Sequence, residues 1–180
     1  MNLPVIILLV VVIAVLYLYV RLLAPIIVKY KFTDPEAKPP QRAYHKAACW
    51  DVFAIETVPI PANQWREIQI GVAFAPWPHI YVPWLNKTFT PLGNVAAKIN
   101  TRSGHGRRGL RAHLGVIDGD YRESWSVVMF NHKTDFPVLI RKGDKVAQIE
   151  FYRVPSTKLI QAKTLSASKR GLKGFGSTGR

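Results

Sequence analysis

The sequence predicts an all-β domain preceded by one membrane-spanning α-helix, and three observations carry that reading. Leu3 to Val20 run for eighteen residues without a charged side chain, and as a helix they would extend about 27 Å, close to a bilayer's hydrocarbon core. From Ala47 onward, short β-prone stretches alternate with Gly, Pro and Asn. No long stretch after residue 30 repeats its apolar residues with a helical period.

The apolar run ends at Arg21, whose long side chain can reach back to the interface. Tyr17 and Tyr19 sit near that end, as interfacial aromatics do. A cleaved signal peptide is the rival reading, but Met1-Asn2 carries no side-chain charge and small residues are scarce after the run. A buried core helix would have to accept apolar residues on every face. Residues 1–28 therefore read as an anchor that meets the lipid bilayer through residues 3–28. Arg21, Lys29 and Lys31 on its C-terminal flank orient it with the domain in the cytoplasm.

Residues 29–46 hold Pro35, Pro39 and Pro40 among charges and read as an extended tether, part of which can pair as an edge strand. Residues 47–165 form the β domain. Its strand candidates are Trp50 to Ala54, Glu67 to Phe74, Val95 to Ile99, Ser126 to Phe130, Val138 to Ile140 and Lys145 to Tyr152. Between them, Pro76 to Gly93 is an irregular insert whose Trp77, Tyr81, Trp84 and Phe89 can pack over the core or touch the bilayer surface, with packing the expectation. Its Asn86-Lys87-Thr88 matches a glycosylation sequon that a cytoplasmic domain would not use. Residues 166–180 are a Gly-, Ser- and Lys-rich tail, and no internal repeat is visible.

Composition narrows the partners. The formal net charge is +14, from 25 Lys+Arg against 11 Asp+Glu. Such a surplus favours an anionic partner, whether nucleotide triphosphate, nucleic acid or lipid, without choosing among them. Cys49 is the one cysteine, so no intrachain disulfide forms. His45, His79, His105, His113 and His132 have no metal-ligand spacing.

The chemistry centres on Gly115-Val116-Ile117-Asp118-Gly119-Asp120-Tyr121. Val116-Ile117 favour a strand and Asp-Gly-Asp a tight turn, with Ser126 to Phe130 as the return strand of a hairpin. Asp118 and Tyr121 are then presented on one side. Thr101-Arg102-Ser103-Gly104 offers phosphate-binding groups. Gly143 to Ile149 is a turn plus a strand carrying Gln148, and Lys169 to Gly179 is a glycine-laced tail with one aromatic, Phe175.

Together with Ala48 to Ala54, these stretches resemble, in order, the five motifs of the trimeric dUTP pyrophosphatase (dUTPase) family, over about residues 40 to 180. The resemblance implies a β-clip, or distorted jelly-roll barrel, and cleavage of dUTP to dUMP and pyrophosphate. Asp118 would hold the attacking water, and Tyr121 would pack under the deoxyribose and exclude a 2′-hydroxyl. Backbone groups from about Ala112 to Ile117 would read the uracil. Arg102, Ser103, Gly104 and Gln148 would grip the phosphates and the water network. Arg170, Phe175, Gly176, Ser177 and Thr178 would close over the substrate. Mg²⁺ is the implied cofactor, with no direct protein ligand and Asp51 supporting its shell through water. A homotrimer with shared sites is implied, and no specific nucleic acid.

Several positions depart from the family pattern. Cys49-Trp50 stand where Gly-Tyr is common, and Glu123-Ser124 replace Gly-Glu. Lys173 replaces a small residue and His105 an apolar one. The loop from Gly104 to Gly115, with Arg107, Arg108 and Arg111, is about one residue short. Three other functions compete. A dCTP deaminase shares the fold but uses a Glu on the strand after the third motif, where Trp125 to Phe130 has no carboxylate. A catalytically silent, membrane-anchored binder is the second. A basic nucleic-acid-binding protein is the third, and no reading helix or aromatic platform supports it.

Overall fold

The computed structural model of the chain describes residues 2–23, 25–77, 80–82, 87–89, 94–113, 115–169 and 171, and for 19–23, 77, 80–82 and 87–89 the backbone alone. A helix, α1 (Leu3–Leu23), precedes the strands β1 (Ile27–Phe32), β2 (Trp50–Phe53), β3 (Val58–Ile60), β4 (Trp65–Gln69), β5 (Val72–Trp77), β6 (Ile80–Val82), β7 (Lys87–Phe89) and β8 (Asn94–Asn100). A one-turn helix, α2 (Ser103–Arg107), separates these from β9 (Leu110–Ala112), β10 (Val116–Ile117), β11 (Ser126–Asn131), β12 (Val138–Ile140) and β13 (Lys145–Val154).

The strands make small antiparallel sheets ordered β10-β8-β13-β2, β4-β11-β9, β1-β5, β12-β3 and β6-β7. The inward faces of the first four share one core, in which Ile60, Ile68, Val127, Met129, Val146 and Ile149 are fully buried. Each such side chain contributes about 1.5–3 kcal/mol relative to exposure. Asn131, fully buried on β11, donates to the carbonyls of Ile60, Pro61 and Phe136, so its amide links strand edges instead of lying unsatisfied.

Three strand expectations are corrected. Glu67 to Phe74 is not one strand. Gly71 takes φ +64°, the left-handed region where a side chain is strained, and breaks the run into β4 and β5. A Cβ there would meet the Cβ atoms of Ala37 and Asp34 at 2.9 Å. Val116-Ile117 and Ser126 to Phe130 are not hairpin partners either. β10 pairs with β8, whereas β11 lies between β4 and β9. Finally, Ile27 and Val28, assigned to the anchor, belong to β1, which pairs along its whole length with β5.

Among the described residues no helix is long and apolar enough to cross a membrane. The side chains of α1 are described as far as Leu18. The apolar residues on that stretch, from Leu3 through Ile7, Val11 and Val15 to Leu18, are exposed around the whole helix. The expected packing of Trp77, Tyr81, Trp84 and Phe89, and the Asn86 sequon, lie outside the described side chains.

Candidate active site

The register of the β8-β13-β2 sheet builds the site. Gln148 on β13 sits opposite Asp51 on β2 and, on its other side, opposite Asn100 at the end of β8. The chain leaves β8 there and turns through Thr101-Arg102 into α2. Motifs one, two and four thus meet at one sheet end, although they lie far apart in sequence.

Asp51 is the hub. Its side chain is 2% exposed, and a buried carboxylate needs partners. Arg102 Nε donates to Oδ1 at 3.0 Å, Gln148 Nε2 to Oδ1 at 3.2 Å and Lys145 Nζ to Oδ2 at 2.8 Å. Burial pushes this carboxyl upward, but the Lys145 and Gln148 bonds and the Arg102 and Lys145 charges outweigh it, and the group sits below the usual carboxylate range.

Lys145 was not foreseen. A register slip between Lys145 and Ala147 sets Lys145 opposite Phe53, where an unbroken ladder would set Val146. Cross-strand partners share a face, as do alternate residues of one strand. The slip therefore turns Lys145 onto the face of Asp51 and Phe53, a known use of bulges.

Arg102 caps α2, and its carbonyl accepts the amides of both His105 and Gly106. Ser103 and Gly104 are exposed, and a Cβ built on Gly104 meets nothing within 4 Å. The loop therefore faces open space. It borders a depression of about 700 Å³ that Thr101, Arg102, Ser103, Gly106, Arg111 and His132 help to line. The participation of Arg111 and His132 had no motif to announce it. Their cationic and polar groups suit phosphate oxygens.

The Asp118 turn is formed as expected. Tyr121 N donates to Asp118 O at 3.2 Å, and Arg122 Nη1 to Gly119 O at 2.7 Å. Asp118 and Tyr121 are exposed, and Ile117 is half-buried. They do not join the Asp51 cluster within one chain. Ile117 pairs with Ala97, so Asp118 lies toward the beginning of β8, whereas Ser103 follows its end. Four residues of strand, about 13 Å, separate Ala96 from Asn100 before the chain turns into α2. Arg170, Phe175, Gly176, Ser177 and Thr178 lie outside the described residues.

Among the described residues, no three or more His, Cys, Asp or Glu side chains gather to hold a metal. Asp51, expected to support a metal shell through water, has both oxygens engaged by side-chain donors and almost no exposed surface. The donor set suits a Mg²⁺ carried by substrate phosphates and water, not a protein cage.

Comparison with known proteins bears on this arrangement. The family model described as dUTPase matches residues 35–179. The chain belongs to the dUTPase family. A deoxyuridine 5'-triphosphate nucleotidohydrolase of Yarrowia lipolytica is 37% identical over 155 residues, covering 84% of this chain and 88% of that protein. The counterpart from Corynebacterium diphtheriae is 31% identical over 161 residues, covering 86% and 94%. The dUTPase of Staphylococcus bacteriophage 80alpha, solved with dUPNHPP, is similar in fold, with a TM-score of 0.72 at 21% identity over 86% of this chain and 99% of that one. The dUTPase motifs thus fall on two surfaces of the chain. Among the described residues, the first, second and fourth form the Asp51 cluster, and the third stands beside the middle of β8.

Proposed function

We infer that the chain is a dUTP diphosphatase: it hydrolyses dUTP to dUMP and pyrophosphate, limiting uracil entry into DNA and supplying dUMP. The observation that carries this reading is the convergence of Arg102, Lys145 and Gln148 on Asp51 beside the exposed Ser103-Gly104 loop. A fixed set of donors next to an open, basic depression is what a triphosphate requires. Family membership supplies the nucleotide.

Asp118 serves as the base. It accepts a proton from a water that attacks the α-phosphorus, and pyrophosphate leaves. Ser103 and the α2 amides receive phosphate oxygens, with Gly104 giving close access. Tyr121 packs under the sugar, and the backbone near Ile117 reads the uracil. Arg170, Phe175, Gly176, Ser177 and Thr178 close over the nucleotide. Mg²⁺, when bound to the phosphates, supplies positive charge. Asp51 acts by fixing the direction of Arg102, Lys145 and Gln148.

Asp118 follows a residue paired to the middle of β8, whereas Ser103 lies beyond its far end, and this separation supports a homotrimer in which one copy's Asp118 turn faces another copy's Ser103 loop. The uncovered apolar surface of α1 supports a membrane tether, and the flanking Arg21, Lys29 and Lys31 support a domain on the cytoplasmic side. Fractionation of cells expressing the full chain tests the tether: release into the supernatant by salt alone rejects it. Pyrophosphate release measured with dUTP, dCTP, dTTP and UTP tests the activity. Release from dUTP alone is the expected result. Ammonia from dCTP, or no turnover at all, would favour the deaminase or the silent binder.

A further inference from the structure

His105 is a buried side chain that the proposed reaction does not use. It lies on α2, two residues after Ser103, and is 3% exposed. Its Nε2 is 2.7 Å from the carbonyl oxygen of Lys145, and its Nδ1 is 3.2 Å from Arg108 Nη2. A carbonyl cannot donate and a guanidinium cannot accept. The partners therefore fix one state: Nε2 carries the proton, Nδ1 is bare, and the ring is neutral.

The Lys145 carbonyl also accepts from Arg102 Nη1 at 3.4 Å. Lys145 thus receives His105 and Arg102 on its backbone, while its ammonium and Arg102 Nε share the carboxylate of Asp51. His105 closes this ring from behind. Its own amide and that of Gly106 bond the Arg102 carbonyl, so movement of the ring moves the backbone that carries Ser103.

We propose that His105 is a positioning residue that braces the Arg102-Ser103 loop against β13 while its ring is neutral and loosens that loop when the ring gains a proton. A proton on Nδ1 would replace an accepted hydrogen bond with a cation facing Arg108. The charged groups facing the ring are Arg102 and Arg108 from its own segment and Asp144 from the turn into β13, where Lys145 presents its carbonyl while its ammonium turns to Asp51. Burial lowers the ring's affinity for a proton. The Lys145 carbonyl opposes this, Arg108 and Arg102 reinforce it, Asp144 opposes it, and the net shift is downward from 6.5. The release therefore falls on the acid side of an ordinary imidazole.

The proposal rests on the dUTPase reading for its kinetic readout, and amide exchange tests it independently. The full chain is compared with His105→Leu, which removes both polar atoms, and His105→Gln, which keeps an N–H donor and does not titrate. At pH 7.5, His105→Leu should raise KM for dUTP about tenfold with a smaller change in kcat, and His105→Gln should recover most of that loss. As pH falls from 7 to 5, wild-type KM should climb more steeply than that of His105→Gln. The substrate's terminal phosphate titrates in both, so the difference between the profiles carries the test. Protection factors at the His105 and Gly106 amides should drop in His105→Leu, and in the wild type at pH 5, but stay level in His105→Gln. Identical pH profiles and equal protection in wild type and His105→Gln would overturn the proposal, even where His105→Leu fails to fold. A wild type that turns over no dUTP would sink the dUTPase reading while exchange still judged the brace.

Discussion

Arg102 Nε lies 3.0 Å from Asp51 Oδ1, joining two motifs 51 residues apart in sequence. The bond orients a guanidinium whose next residue, Ser103, opens onto the basic depression. Arg102 is thus held by protein groups, the Asp51 carboxylate and the Lys145 carbonyl.

Asp51→Ala should remove the acceptor shared by Arg102, Lys145 and Gln148. Arg102 and Lys145 keep some solvent, with side chains 28% and 36% exposed, so the cost should be about 1–3 kcal/mol, the range for stranded donors. Urea unfolding measures it, and KM for dUTP should rise in the same variant. An unchanged midpoint would mean that the three contacts contribute nothing net.

The same carboxylate should set an acid limb of stability. Its folded pKa is depressed below 3.8, so its contribution is fully present above the unfolded value of about 3.9 and is lost as pH falls through the folded one. Melting temperatures of wild type and Asp51→Asn should converge as pH drops from 5 toward 2.5. Parallel curves would contradict the shift.

Gly71→Ala should destabilise the domain by at least about 1 kcal/mol, because the native φ is positive and the added Cβ has no room. Thermal unfolding checks this, and a neutral result would mean that the turn between β4 and β5 relaxes freely.

Removal of residues 1–24 should leave β1 whole and activity intact. Removal of residues 1–33 should strip β1 from β5 and lower stability, because the apolar side chains beneath lose their cover. Equal melting temperatures for the two truncations would show that β1 is dispensable.

Much of this was legible in the sequence. β2, β8, β11, β12 and β13 are short β-branched runs bounded by turn residues, and such runs declare themselves locally. Pairing does not. Val116-Ile117 and Ser126 to Phe130 read as a hairpin because they are near in sequence, yet their partners are β8 and the β4 and β9 strands. The tether was expected to pair in part as an edge strand, and Lys29 to Phe32 do so in β1; Ile27 and Val28 were hidden in the apolar run. Gly71 lay inside what read as one strand, and neither its positive φ nor the close approach of residues 34 and 37 is visible in the local sequence. In the site, Asp51, Arg102 and Gln148 were visible as motif members, but their mutual contacts follow from cross-strand register. Lys145 reaches Asp51 only because of a one-residue slip that no composition signals. His105 stood out in sequence as a departure; its role came from the Lys145 carbonyl behind it.

Asp118→Asn should keep its turn and the proposed trimer while turnover falls about 10³-fold, within the range for loss of a general base. Pyrophosphate release at saturating dUTP measures the fall, and equilibrium dUTP binding should change little.

The central claim is that a working site unites the Asp118 turn of one copy with the Ser103-Gln148 surface of another. The direct measurement is co-expression of Asp118→Asn and Gln148→Ala chains in equal amounts, followed by assay of dUTP hydrolysis in the mixed oligomer. Each parent should be nearly inactive. The mixture should regain about a quarter of wild-type activity, since in a cyclic trimer that fraction of interfaces joins two intact halves. A mixed oligomer no more active than its parents would contradict a shared site.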